Sequence, residues 1–320
     1  MSIIYVPSNK VLENAVNVSQ YIMNLYPDSS DNYKLITIIG ESHTIKIPCD
    51  ISSGSSSIAL EDFVVRTQDI KTEIILEASS KEQIYDLNSY NMINILETLE
   101  KKDKVYKNIT IEYLDYRDKF LAKDFRHWLY IETSPILHFP GSLIFSEYIQ
   151  PFFINYEKGE FVKYSKEEYH ELTKDLIDVY YLNNVHKFFK DIAIQVNGWD
   201  LSTLDIRNTI IEKIRGAWGN ICDLYILREF FRISDTKEYI VVIGEMHTIN
   251  LNNYFINFLC NLHKIAPYNK TYFCKLNHSQ ISKEKSLYNC ISLDNIAYLE
   301  KDTDNKKRKR NIFDDCKEKK

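Results

Sequence analysis

Glycine is scarce in this chain, 8 residues in 320, so each one has some claim to a conformational reason. No Cys-x-x-Cys pair occurs among the six cysteines, which argues against a zinc ribbon or a thioredoxin-like motif. The closest Cys/His pair, Cys260 and His263, sits in an apolar stretch and reads as packing. No apolar run approaches the roughly 20 residues that span a bilayer. The segment from Met1 to Pro7 lacks the basic stretch and apolar core of a secretory signal. These absences predict a cytoplasmic protein that is not secreted, in a reducing compartment with free thiols. An excess of positive charge is also missing. The formal net charge is -5, and nothing suggests that the folded part binds nucleic acid or a membrane.

Hydrophobic residues make up 44% and charged residues 27%, the balance of a globular protein with one large or two ordinary domains. With 23 Tyr and 16 Phe, the core can be large and aromatic. The chain also repeats itself. Ile39-Gly40-Glu41-Ser42-His43-Thr44-Ile45 returns as Ile243-Gly244-Glu245-Met246-His247-Thr248-Ile249, differing only at the Ser/Met position. Each copy follows an apolar run. Two short, distant copies suggest a duplicated half-domain rather than a solenoid.

The expected elements alternate. The spacing of Val11, Ala15, Val18, Ile22 and Leu25 predicts a helix over 10–26. Buried strands are expected at Leu35–Ile39, Ile74–Leu76, Ile109–Leu114 and Tyr239–Ile243, with a helix at Lys81–Lys101. Helix-like stretches lie at 166–195. A long helix over Leu204–Arg232 contains Gly216 and Gly219 as candidate breaks, a further helix covers Asn253–His263, and Thr271–Leu276 could add an edge strand. This order predicts an α/β fold with a mainly parallel sheet and helical crossovers. It would comprise a first α/β half (1–120), a mainly helical insertion (121–200), a second half (201–300) and a charged, disordered tail (301–320). The two halves would be pseudo-symmetric, each carrying one Gly-Glu-x-His-Thr strand end. The tail's basic run from Lys306 to Arg310 reads first as a solvated face, with nuclear import or an acidic partner as the alternative.

In parallel sheets, sites lie just past the carboxyl ends of the strands. Glu41 and His43, Glu77, Asp115 and Arg117, and then Glu245 and His247 all fall there. A glycine at a strand end lets a ligand approach the backbone closely. Histidine can serve as a general base near neutral pH or as a neutral metal ligand. His43, Glu77, Asp115 and His247 would make an oxygen/nitrogen site for a divalent transition metal. Without a metal, the same groups could activate a water. Arg117 or Arg207 could hold an oxyanion. Bland alternatives stand beside these: a helix-end role for Glu77, a local ion pair for Asp115 and Arg117, and a surface position for Arg207. Because Met246 replaces Ser42 in the second copy, a serine nucleophile is disfavoured.

The order of these motifs resembles the Tiki/TraB superfamily, which includes erythromycin-esterase-like and ChaN-like proteins. The matching features are Gly40-Glu41-Ser42-His43, the strand-end Glu77, Leu114-Asp115-Tyr116-Arg117, Asp205-Ile206-Arg207-Asn208 and Gly244-Glu245-Met246-His247. The likeness covers roughly 35–117 and 200–262. It implies a hydrolase, peptidase- or esterase-like, acting on a small molecule or peptide and in some members dependent on a divalent metal. The alternative is a non-catalytic binder of metal, haem or a small ligand, or a degenerate relative with a structural role. Haem or iron is the lesser cofactor alternative. The oligomeric state is left open.

Overall fold

A computed structural model describes residues 2–5, 10–24, 33–41, 56–65, 70–86, 89–101, 106–130, 135–161, 168–169, 171–198, 203–256, 272–280, 290–293 and 296–300. The first elements are β1 (Ser2–Tyr5), β2 (Lys10–Glu13), β3 (Ala15–Asn24), β4 (Tyr33–Glu41), β5 (Ser56–Ile58), α1 (Leu60–Val64), β6 (Thr72–Leu76), α2 (Lys81–Asp86), α3 (Tyr90–Lys101) and β7 (Ile109–Tyr113). Next come α4 (Lys123–Tyr130), α5 (Gly141–Ile144), α6 (Gln150–Glu157), α7 (Glu171–Tyr180), α8 (Lys187–Gly198) and α9 (Leu204–Phe231). The chain continues through β8 (Glu238–Gly244), α10 (Glu245–Tyr254), β9 (Tyr272–Gln280), β10 (Cys290–Ser292) and β11 (Ala297–Glu300). The fold is mixed α/β with a mostly parallel central sheet.

The chain forms two compact units, Met1–Tyr113 with Asp235–Lys320, and Leu114–Ser234. In the first, six strands form a sheet in the order β7-β6-β8-β4-β3-β9. The β7-β6, β6-β8 and β8-β4 pairs are parallel, and β3 runs antiparallel to both β4 and β9. Strand β8, Glu-Tyr-Ile-Val-Val-Ile-Gly, is buried from Glu238 to Ile243. That suits a central strand covered on both faces. On one face Ile39, Ile74, Leu76, Ile240 and Val242 join Leu60, Phe63, Met92 and Ile95 of α1 and α3 in a single core. Each such side chain contributes about 1.5–3 kcal/mol on full burial. On the other face Tyr21 of β3 packs against Phe255 just past α10, the rings tilted by 32° with centres 4.7 Å apart, and donates its hydroxyl to Asn252 Oδ1 at 2.6 Å.

The helix expected over 10–26 is instead two strands, β2 and β3. Val11, Val18 and Ile22 fit a helical stripe, but β3 is inserted between β4 and β9, and sheet pairing overrides the local pattern. The single helix expected at Lys81–Lys101 is two, α2 and α3, the second beginning after Ser89 accepts from the amide of Ile93.

The second unit is helical. Its long helix α9 runs from Leu204 to Phe231 without a break at Gly216 or Gly219. Here α9 clusters with α4–α8 and not with the sheet. Trp218 is fully buried and donates its indole N–H to the carbonyl of Tyr148 at 2.9 Å. Cys222 is a free, buried thiol with Sγ 3.2 Å from the Leu114 carbonyl. Two short π-helical stretches, Phe145–Ile149 and Tyr181–His186, connect α5 to α6 and α7 to α8. No helix among the described residues is long and apolar enough to cross a membrane.

Candidate active site at the sheet edge

The two copies of the repeat end neighbouring strands. In the β4-β8 ladder Gly40 stands opposite Ile243 and Glu41 opposite Gly244, so the copies are offset by one residue. The backbone follows β geometry through Glu41 in the first copy. In the second, Gly244 is the N-cap of α10 and Glu245 begins the helix. A helix starting inside the motif places Glu245, Met246, His247 and Thr248 on its first turn. Helix α10 thus begins well before the expected Asn253. The remainder of the expected helix, including Cys260 and His263, lies outside the described residues.

Glu77 follows the last residue of β6 and reaches the second copy. Its Oε2 accepts from the Gly244 amide at 2.7 Å, and its Oε1 lies 3.1 Å from Nε2 of His247. The amide of Glu77 is itself pinned to the Val242 carbonyl at 3.2 Å. One carboxylate therefore caps the open N-terminus of α10, where a negative charge is favoured, and orients an imidazole on its first turn. Thr248 closes the turn by donating to the Gly244 carbonyl at 3.1 Å. His247 is buried, 8% exposed, rather than the open imidazole expected at a strand end. Glu245 and Met246 face solvent, Met246 at 69%.

Glu41 behaves differently. It is buried, and its Oε2 accepts from the Asn91 side-chain amide of α3 at 2.5 Å. Strand alternation puts Glu41 on the α3 face, with Ile39, while Glu77 and His247 meet on the α10 face. Gly40 serves another purpose than the expected ligand approach. A Cβ there would lie 2.8 Å from Asn17 Nδ2 and Oδ1, so it is the Asn17 side chain that uses the space. His43 and Ser42 lie outside the described residues, as does the basic run Lys306–Arg310.

The remaining candidates belong to the helical unit. Asp115 and Arg117 hold each other: Arg117 Nε donates to Oδ1 at 2.7 Å and Nη2 to Oδ2 at 2.8 Å. Arg126 adds a further bond to Asp115 and pairs with Asp118. Asp115 also caps the 3₁₀ turn Tyr116–Lys119 through the Arg117 amide. This buried fork is the local ion pair that stood as the alternative reading, and it commits Asp115 to two guanidinium groups. Arg207 donates to the backbone carbonyl of Phe139. Among the described residues, no group of three or more His, Cys, Asp and Glu side chains is placed to hold a metal.

Sequence reasoning missed Asn17 and Asn91. Both are buried amides whose roles depend on strand register and on where α3 begins. A polar residue inside an otherwise apolar strand or helix face was the available signal. No family model matches the chain, and neither a curated protein nor a solved structure is significantly similar to it.

Proposed function

We propose that the protein is a hydrolase, peptidase- or esterase-like, whose general base is His247 oriented by Glu77. The observation that carries this reading is the double engagement of Glu77. The same carboxylate binds the Gly244 amide and the His247 ring at the carboxyl edge of a parallel sheet. A carboxylate behind an imidazole fixes its tautomer and orientation and stabilises the imidazolium formed when the ring takes a proton. In the proposed reaction His247 removes a proton from water, the water oxygen attacks the acyl carbon of an ester or amide, and the imidazolium returns the proton to the leaving group. Glu245, exposed on the same helical turn, would face the substrate.

Within this proposal the chain is a distant relative of the Tiki/TraB superfamily. The strands before and after the helical unit would be two related halves, with that unit inserted between them. Arg117 and Arg207 hold structural partners, and in this reading they stabilise the helical unit. Glu77 and His247, with His43, would offer imidazole and carboxylate donors to a divalent transition metal. Metal analysis of wild type beside His43→Ala and His247→Ala tests that version, which predicts metal in wild type and its loss in both variants. The expected location is cytoplasmic.

Activity is tested with a panel of p-nitrophenyl esters and fluorogenic peptides. Wild type should turn over at least one, His247→Ala should lose about 10²–10⁴-fold in kcat, and Glu77→Gln should lose less. Absence of turnover across the panel, or full activity in His247→Ala, would refute the assignment. Ligand binding without turnover would favour the alternative of a non-catalytic binder.

A further inference from the structure

Helix α10 is held near both ends. At its start, Glu77 binds the Gly244 amide and the His247 ring, and Thr248 closes the first turn. Near its other end the anchor comes from the sheet. Tyr21 of β3 donates its hydroxyl to Asn252 Oδ1 at 2.6 Å, and its ring lies against Phe255. Tyr21 is fully buried and Asn252 is 6% exposed, so water does not compete for this bond. Strand β3 is itself paired on both sides, with β4 and with β9, which makes Tyr21 a fixed point.

The spacing along α10 links the two ends. Thr248, Asn252 and Phe255 follow one another at helical intervals and share one stripe, which is buried. His247, Leu251 and Tyr254 repeat that spacing one residue earlier and are buried as well. His247 therefore stands about 100° round the helix from the stripe that Tyr21 holds. It lies about 7.5 Å along the axis from Asn252, at the 1.5 Å rise of an α-helix. Over so short a span a helix turns as one body, and a roll at Asn252 is a roll at His247. With the ring about 6 Å from the axis, a roll of about 10° carries it about 1 Å. A catalytic group must be held within about 0.5 Å of its productive place. Apolar packing is non-directional and resists a small roll weakly. A hydrogen bond weakens steeply off line and resists it.

We infer that Tyr21 is a positioning residue for His247: its hydroxyl, acting through Asn252, sets the roll of α10 and with it the approach of Nε2 to Glu77. Glu77 fixes the imidazole at one point, and Tyr21 supplies the second point from a different strand. The antiparallel strand β3 thereby becomes part of the site's architecture. The catalytic consequence rests on the reading of His247 as general base. The geometric claim does not.

The test is made on the full chain. Tyr21→Phe removes the hydroxyl and keeps a ring against Phe255. The control is Thr37→Val, which breaks the bond that Gln20 Nε2 donates to Thr37 Oγ1 at 2.9 Å. Gln20 is the neighbour of Tyr21 on β3, and Thr37 shares the α3 face with Ile39, away from α10. The readout is the ¹⁵N signal of the His247 ring, assigned by its absence in His247→Ala. In Tyr21→Phe the Nε2 signal should move from its wild-type position towards that in Glu77→Gln. In Thr37→Val it should stay. Asn252→Ala should move it in the same direction, and combining it with Tyr21→Phe should add nothing further. If Tyr21→Phe lacks native circular dichroism, Asn252→Ala carries the test. On a substrate that wild type turns over, Tyr21→Phe should lose about 10–10²-fold in kcat with KM little changed. An unmoved Nε2 signal in folded Tyr21→Phe or Asn252→Ala would overturn the inference, and so would an equal movement in Thr37→Val. A moved signal beside an inactive substrate panel would uphold it and remove only the hydrolase reading.

Discussion

A methyl group at position 40 would lie 2.8 Å from two atoms of the Asn17 amide and 2.9 Å from its Cγ. Asn17 is buried and stands opposite Gly40 in the β3-β4 ladder, so it has little room to yield. Gly40→Ala should therefore destabilise by about 1–3 kcal/mol, the usual cost of overpacking, as read from urea unfolding midpoints. Adding Asn17→Ala should recover part of that loss, a coupling that two independent sites would not show. The glycine was visible in the sequence, and so was its place at a strand end. What sits over it was not, because the partner lies on a strand whose spacing read as helical. Glu77 shows the reverse. Its place after a buried strand marks it in the sequence, and the structure adds the Gly244 amide and the His247 ring that it holds. The pairing of Asp115 with Arg117 was one of two readings that the sequence left open, since a separation of two residues serves an ion pair as readily as a site.

Among the elements, α9 carries the clearest expectation. Gly216 lies on an exposed position of this 28-residue helix, and a Cβ there would meet nothing within 4 Å. Gly216→Ala should raise stability by about 0.5–1 kcal/mol, by lowering the entropy of the unfolded chain and improving helix propensity. Thermal melts followed at 222 nm would check this. Helix α10 makes a different point. Its start inside the repeated motif could not be read from periodicity, because the Ser/Met difference is the one place where the copies diverge and the following residues are identical. The same Gly-Glu-x-His-Thr string continues as strand through Glu41 in one copy and turns to helix at Glu245 in the other. Pairing with β3 selects the strand in the first case, and the Glu77 cap selects the helix in the second.

For the whole molecule, the abundance of tyrosine sets its response to alkali. Burial pushes the Tyr225 hydroxyl up to about 12 from its usual 10, and it raises Tyr148, Tyr181 and Tyr254 as well. Each folded-state value lies above the unfolded one. The stability these groups confer is fully present below pH 10 and is lost as the pH rises through their folded values. Urea midpoints should hold up to pH 10 and then fall towards pH 12, and Tyr225→Phe should make that fall shallower. An unchanged slope in the variant would count against burial as the cause.

The alternation of buried strands and helices was legible from β6 to β8 but not over 10–26, and the mostly parallel sheet followed from it. Strand order was not, since β8 sits between β6 and β4 although α4–α9 separate it from both in sequence. That placement also sets a timetable for synthesis. Strand β4 pairs with residues 238–244, so the centre of the sheet cannot close until residue 244 of the 320 has left the ribosome. The helical unit Leu114–Ser234 is continuous in sequence and complete earlier, so it can fold first. Until β8 emerges, β4 and β6 each present an unpaired edge, and a nascent chain stalled before Glu238 is the species most exposed to aggregation.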